Sequence, residues 1–207
     1  MELSYTLFFV VITVVTSLMA FSNDNIIRKF IMYPYIMNNN PREYHRLLTH
    51  SLIHADLMHL AFNMFALYSF GRYVELVFSV VLGKPFLYPI LYLLGVVAAS
   101  LPDMVKHKDH SYFRSLGASG GVSAVLFSCV YFAPWTGIRI MFIPIDIPAV
   151  VFAGLYLFYC VYMSKKGGGN VNHDAHLWGS VFGLVFTLVF DPSHGKSFLY
   201  QIMNPVF

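Results

Sequence analysis

Charged residues are scarce in this chain: only 11% of its 207 residues are Asp, Glu, Lys or Arg, whereas 57% are hydrophobic. A typical soluble domain is about 25% charged, so this composition excludes an ordinary soluble globule. Uncharged runs of roughly bilayer length recur along the whole sequence. We therefore expect a single integral membrane domain over residues 1–207, with membrane lipid as its surroundings.

Cysteine is also scarce. Cys129 and Cys160 both fall inside apolar runs, where a free thiol behaves as a small hydrophobic group, so no disulfide framework is predicted. The net charge of +3 is dispersed over the loops, which argues against a nucleic-acid partner. The first apolar run lacks the basic start and the small-residue cleavage site of a signal peptide, so a retained span is predicted.

Six apolar segments are predicted to be membrane-spanning helices, which makes the fold class an all-α membrane protein. They cover about residues 3–21, 52–81, 86–101, 119–134, 149–163 and 175–190. The long first loop includes "FIMYPYIM", which is too apolar for simple solvation, so we expect it to lie on the membrane surface. "PDMVKHKDHSYFR" is predicted to be a polar connection, "GIRIMFIPIDIP" an interfacial one and "SKKGGGN" a flexible turn.

Six spans make helices two, four and six run in the same direction, so their N-terminal ends share one face of the membrane. In helix two, His59 and Asn63 are four residues apart and stack on one helical face. We expect both to lie about one helical turn below the membrane surface, where polar groups are costly unless they are partnered or functional. His54 faces elsewhere, and we expect it to tie the first loop to the helix. His50 and His54 have the spacing of a metal pair, but no third ligand recurs nearby, so no metal site is predicted.

A serine lies among glycines at the start of helix four, in "GASGG" from Gly117. Small residues in membrane helices usually mean close packing, and a serine among them usually bonds its own backbone. In helix six, however, His176, Gly179 and Gly183 share one face. If this glycine face packs against the glycines of helix four, Ser119 and His176 meet at the same depth.

A serine within hydrogen-bond reach of a histidine is an activated nucleophile with its general base. Ser119 and His176 are therefore predicted to form a catalytic dyad. His173, one turn earlier, is the competing base, but it lies off the glycine face. Asp174 and Asp56 point away from the two histidines nearest to them, so no orienting carboxylate is predicted.

Acyl chemistry at Ser119 also requires donors for the negative charge that develops on the attacked carbonyl oxygen. The Ser119 backbone N–H, at a helix start, and the side chains of His59 and Asn63 are the predicted oxyanion-stabilising groups.

These residues together resemble the rhomboid intramembrane serine proteases. "HADLMHLAFN" in helix two, "GASG" in helix four and "HLWGSVFG" in helix six follow in the right order, and the resemblance covers about residues 3–190. It implies that Ser119 is the nucleophile, His176 the base, and His59 and Asn63 the oxyanion-side residues, with His54 in a structural role. The implied substrates are single-span membrane proteins cut in or near the top of their transmembrane helix. No cofactor is implied.

The resemblance extends to residues with implied structural roles. In "HRLLTH", Arg46 matches the family's Trp-Arg loop motif, while His45 stands where tryptophan is usual. Gly71 and Glu75 resemble a glycine and a glutamate further along helix two, where the glutamate fixes loop and helix packing.

One family feature is missing. Ser123 occupies a place often held by a tyrosine that stacks on the catalytic histidine, so some other contact must hold the ring of His176. The resemblance also implies that helix five, its preceding loop and the loop after Ser115 are the movable parts.

Two other functions are compatible with parts of the sequence. A transporter or channel predicts polar residues through the full membrane depth, whereas here they gather at one end of the even helices. A non-catalytic rhomboid-like scaffold differs from a protease only in activity. The sequence leaves the oligomeric state open.

Two features of the sequence conflict over the orientation of the chain in the membrane. The bare six-helix core favours a bacterial cytoplasmic membrane, and in that setting the resemblance implies that both termini lie in the cytoplasm. Nine of the thirteen Lys and Arg residues, however, lie in the first, third and fifth loops. The positive-inside rule would place those loops, and the active-site face with them, in the cytoplasm.

Overall fold

The computed structural model describes residues 4–139, 145–167, 169 and 171–205, which are mostly helical. The α-helices within this part of the chain are α1 (Tyr5–Phe21), α2 (Asp24–Phe30), α3 (Pro34–Asn39), α4 (Arg46–Thr49), α5 (Leu57–Leu76), α6 (Leu87–Lys106), α7 (Ser119–Phe132), α8 (Ala149–Lys166), α9 (His173–Phe190) and α10 (Pro192–Met203). Two strands, β1 (Gly137–Arg139) and β2 (Asp146–Pro148), form an antiparallel hairpin. The predicted start of the first span, at residue 3, lies outside the described residues.

α7 is the central helix of the bundle. Every residue from Gly120 to Phe132 is buried, and the helix packs against α5, α6, α8 and α9. Its sequence is apolar on all sides, as expected for a helix surrounded by other helices. With 14 residues it is only about 21 Å long, which suits a helix that contacts protein rather than lipid along most of its length.

The predicted six-span count stays a prediction. By length and composition, the described helices include two that could cross a membrane, over Leu57–Val81 and Leu87–Lys106. A third arises if α9 and α10, which meet at a bend of 119°, form one broken span. α1 and α7 are apolar but shorter.

The second predicted span starts later than residue 52. α5 begins at Leu57 because Asp56 caps it, accepting a hydrogen bond from the His59 backbone N–H at 2.8 Å. After Leu76 the helix continues through a π-helical turn over Val77–Val81, so the predicted end at residue 81 agrees with the structure.

The third predicted span ends later than residue 101. α6 continues through Pro102 to Lys106, although this stretch was predicted to be a polar connection. Its polar side chains find partners at the start of α9: Asp103 accepts a hydrogen bond from Asn172, and Lys106 Nζ lies 2.8 Å from Asp174 Oδ2. These tertiary contacts extend the helix beyond its apolar part.

Two further elements were not expected. The predicted interfacial connection contains the β1–β2 hairpin, whose ends are joined by an ion pair between Arg139 and Asp146 at 2.8 Å; residues 140–144 lie outside the described part. The sixth span was predicted to stop at "DPSHG". α9 does end there, but a further helix, α10, follows it. Asp191 caps α10 and its carbonyl accepts a hydrogen bond from Tyr131 Oη at 2.6 Å.

The first loop folds into short helices, and its expected position on the membrane surface stays a prediction. A 3₁₀ turn over Pro41–His45 joins α3 to α4, and a second over His50–Leu52 follows α4. Met32 and Met37, both within "FIMYPYIM", and Ile53 further along are almost fully buried. The loop is therefore part of the folded core.

Candidate active site

A cavity of about 1250 Å³ lies at the N-terminal ends of α5, α7 and α9. Its lining includes the predicted dyad and the polar residues considered with it: His59, Asn63, Ser119, His173 and His176. Ser119 is half-buried and is the first residue of α7. The starts of α5, α7 and α9 thus line one cavity, in keeping with the expectation that the helices carrying them run in the same direction.

Glycines bring α7 and α9 into backbone contact. A Cβ atom on Gly179 would overlap the carbonyl group of Gly120, and one on Gly183 would overlap the backbone of Ala124. Such close approach is the usual role of small residues between membrane helices. It places the first turn of α9, with His176, against the first turn of α7, with Ser119.

The predicted dyad is not a formed hydrogen bond in this structure. Within the described residues, none joins Ser119 Oγ to either ring nitrogen of His176. Catalytic hydrogen bonds are often long without substrate and tighten only in the complex, so the shared cavity is compatible with a dyad without establishing one.

Gly117 and two histidines shape the wall beside Ser119. Gly117 has φ +114°, which favours glycine, and a Cβ there would lie 2.7 Å from Cε1 of His59. The His59 ring therefore packs directly on the chain two residues before Ser119. His54 meets His59 edge to face, with ring centroids 4.9 Å apart.

His54 joins α1 to the segment that precedes the serine. The Ala118 N–H donates to His54 Nε2 at 3.3 Å, so the ring proton sits on Nδ1, which is 3.0 Å from Ser17 Oγ. Ser17 in turn donates to the Leu52 carbonyl at 2.9 Å. Burial lowers the pKa of His54 to about 3, consistent with a neutral ring that both accepts and donates. His54 thus contacts the loop before α7 as well as α1.

The other polar residues near the site have partners other than Ser119 and His176. Asn63 donates one amide proton to the His59 carbonyl at 2.9 Å, which leaves its second amide proton. Asp174 contacts Lys106 and Ser164, and Asp56 caps α5. Within the described residues, no carboxylate hydrogen-bonds to His176.

Tyr156 on α8 is the site residue that sequence reasoning missed. Its ring stacks on that of His176, with centroids 6.0 Å apart and 18° between the planes, and its hydroxyl lies 2.9 Å from Ser123 Oγ. Tyr156 therefore makes a ring contact with His176, which Ser123 cannot make. The sequence offered no signal for it, because α8 carries several aromatic residues and no spacing singles one out.

The predicted support residues hold the bundle together. Arg46 is buried and donates to Glu43 at 2.6 Å, and to the carbonyls of Arg28 and Ile31 at 2.7 and 2.8 Å. It thereby ties α4 to α2 and to the chain that follows it. His45, where tryptophan is usual, bonds the backbone of the same loop.

Glu75 and Gly71 fix α1 against α5. Glu75 accepts hydrogen bonds from the Ser4 hydroxyl at 2.7 Å and from the Tyr5 and Thr6 backbone N–H groups at 2.6 and 3.2 Å, so it caps α1. A Cβ on Gly71 would overlap Tyr88 Oη of α6 and lie 3.0 Å from the Thr6 side chain of α1, so both helices approach α5 closely at this position.

The histidine pair at the end of the first loop is used for hydrogen bonding. His50 Nδ1 lies 2.8 Å from the Arg46 carbonyl and Nε2 lies 3.3 Å from Ser100 Oγ. His54 is equally engaged, so both rings connect parts of the fold through hydrogen bonds.

An apolar helical bundle with a polar cavity at one end of its central helices defines an integral membrane protein with a partly hydrophilic interior. A family model, the Rhomboid domain, matches residues 41–192. The chain therefore belongs to the rhomboid family.

Relatives of this chain carry rhomboid names. RHOMBOID-like protein 12, mitochondrial, of Arabidopsis thaliana is 27% identical over 156 residues, which cover 68% of this chain and 45% of that protein. The Presenilin-associated rhomboid-like protein, mitochondrial, is 27% identical over 164 residues in Bos taurus and 26% in Homo sapiens, covering 77% of this chain and 40% of each relative. The chain thus spans less than half of their length. Their mitochondrial names give no support to the bacterial membrane expected from the sequence.

Proposed function

We propose that this rhomboid-family protein is an intramembrane serine endopeptidase with Ser119 as nucleophile and His176 as general base. The observation that carries the proposal is the glycine-mediated contact of α7 and α9, which puts both residues on one cavity. In the first step, Ser119 Oγ bonds to the peptide carbonyl carbon while its proton passes to His176. His176 then protonates the leaving amine, and water hydrolyses the acyl-enzyme.

The oxyanion formed in each step requires donors beside Ser119. The Ser119 N–H is at the first position of a helix, where backbone N–H groups have no intrahelical partner. The second amide proton of Asn63 and the ring of His59 complete the proposed set. Loss of one such donor typically lowers the rate roughly 100- to 1,000-fold, and we expect this range for Asn63→Ala.

The substrate we propose is a single-span membrane protein. The cavity extends between α5 and α8, where phenylalanines form its lining: Phe62, Phe65 and Phe70 on α5, and Phe152 on α8. This apolar slot suits an apolar segment arriving from the lipid. A helical peptide bond is shielded by its own hydrogen-bonded backbone, so the segment must unwind near the cut, and helix-weakening residues there should favour cleavage.

The decisive experiment is labelling of the purified, detergent-solubilised chain with a fluorophosphonate probe. Wild type should be labelled, whereas Ser119→Ala and His176→Ala should not. Equal labelling of all three would remove both residues from the mechanism.

A non-catalytic rhomboid-like scaffold is the second candidate, because Ser119 and His176 share no hydrogen bond in the described structure. It predicts that a well-folded wild type stays unlabelled and releases no product from any single-span substrate. Circular dichroism and gel filtration in detergent would establish that the chain is folded in that case.

A further inference from the structure

A cysteine and two histidines lie together beside the proposed dyad. Cys160 on α8 faces His173 and His176 on α9, and one donor atom from each residue, the thiol sulfur or a ring nitrogen, lies within 4.8 Å of the other two. Thiolate and imidazole are the donors that Zn²⁺ prefers in proteins. In a tetrahedral zinc site such donors are about 3.5 Å apart. Side-chain rotations that move the donor atoms by about 1 Å would therefore bring all three within bonding distance of one ion.

His173 supplies a second observation. The residue as a whole is 9% exposed, and its Nδ1 atom is buried without a hydrogen-bond partner among the described residues. Buried polar atoms are normally hydrogen-bonded, and an orphan costs free energy. The ring is held between Tyr159, at a centroid distance of 5.3 Å, and His176, at 6.0 Å. An ion bound at this ring would give it the partner that the fold does not provide.

A cation can reach the cluster from the cavity. His173 and His176 both line it, together with the carboxylates of Asp56, Asp103 and Asp174. Cys160 is fully buried and is not among the residues that line the cavity, so the thiol would form the inner end of the site. Three protein ligands leave a fourth position for water on the cavity side.

We propose that Cys160, His173 and His176 form an inhibitory zinc site in which the bound ion removes the base from the dyad. Zn²⁺ binding forms one Zn–S and two Zn–N bonds, and the Cys160 thiol releases its proton to water. A neutral imidazole has a single nitrogen that can accept. Once His176 gives that lone pair to zinc, its other nitrogen carries the proton and cannot accept one from Ser119. The inhibition, though not the metal site, rests on the proposed protease function.

The site is tested first without reference to activity. Chelator-treated, detergent-solubilised full chain is titrated with Co²⁺, which gives a near-ultraviolet charge-transfer band when bound to a thiolate. Wild type should show the band, and Zn²⁺ should displace it. Cys160→Ser should abolish it, whereas Cys129→Ser, which changes the other buried cysteine, should retain it. No band in wild type, or an equal band in Cys160→Ser, would overturn the proposal.

The inhibition is tested by fluorophosphonate labelling with and without Zn²⁺, taken as a ratio within each variant. Zn²⁺ should suppress labelling of wild type and Cys129→Ser, and chelator should restore it. Loss of a second-shell partner already weakens metal binding roughly 10- to 100-fold, so Cys160→Ser should need at least that much more Zn²⁺. His173→Asn should behave in the same way, which guards against an effect peculiar to the thiol.

The two proposals fail in different ways. A cobalt band with labelling that ignores Zn²⁺ would overturn the inhibitory role. A cobalt band in a folded chain that is never labelled would overturn both the protease function and the inhibition, while the metal site itself would stand.

Discussion

The ring of Tyr156 stacks on the ring of His176, 6.0 Å away between centroids and tilted by 18°. Tyr156 belongs to α8, and its hydroxyl contacts Ser123 on α7 at 2.9 Å. The proposed base is therefore oriented by a helix that also borders the proposed substrate entrance. The position of α8 therefore bears on the orientation of the proposed base, because Tyr156 contacts both the His176 ring and Ser123.

Removal of this ring is expected to lower activity by misplacing His176. Stacked aromatic pairs contribute about 0.5–1.5 kcal/mol, so Tyr156→Ala should slow fluorophosphonate labelling by about 2- to 10-fold. Tyr156→Phe keeps the ring and should retain most of the rate. The informative rescue is Ser123→Tyr combined with Tyr156→Ala, which returns a tyrosine to the neighbouring helix. Failure of the rescue, with thermal stability unchanged, would argue against a positioning role.

The glycine interface predicts a stability difference between two alanine substitutions. Gly179→Ala places a methyl group against the Gly120 carbonyl, and overpacking of this kind typically costs about 1–3 kcal/mol. Gly154→Ala on α8 is the matched control, since a Cβ there meets nothing within 4 Å. We expect thermal unfolding in detergent to show a clear loss for the first and none for the second, with labelling also reduced for Gly179→Ala. Equal melting temperatures would contradict the close contact.

The helices that carry the site could be predicted from sequence because their signals are local. The spacing of His59 and Asn63, and of His176, Gly179 and Gly183, places each set on one face whatever the rest of the chain does. The predicted common direction of spans two, four and six then brings the sets together. This prediction needs no information on side-chain contacts.

The features that sequence reasoning missed depend on contacts between distant parts of the chain. Tyr156 meets Ser123 across 33 residues, and Asp103 meets Asn172 across 69. The second contact extends α6 beyond the point where its apolar pattern ends. Composition cannot report such pairs, because each residue alone has the character of a lipid-facing ring or a loop carboxylate.

The cap that Glu75 provides for α1 predicts a loss of stability without a loss of chemistry. Glu75→Gln removes the charge that three donors at the helix start share, and loss of a helix cap typically costs about 0.5–2 kcal/mol. Glu75 lies about 24 Å along α5 from His59, so the fraction of folded enzyme that labels should stay unchanged at low temperature. Thermal melting and labelling together check this; a labelling defect in folded protein would show that the cap also affects the site.

The first-loop histidines predict that stability falls with acid. Burial lowers the pKa of His50 to about 4 and that of His54 to about 3, from an ordinary 6.5. The folded chain therefore binds fewer protons than the unfolded chain at these two residues. Their contribution is fully present above about pH 6.5 and is lost as the pH falls toward the folded pKa values.

The measurement is the melting temperature in detergent between about pH 7 and pH 4, compared across variants. His50→Gln cannot be protonated, and its amide can still donate to the Arg46 carbonyl, so its melting temperature should fall less steeply with acid than that of wild type. If His50→Gln and wild type lose stability in parallel, the acid sensitivity originates elsewhere and the buried ring of His50 is not its source.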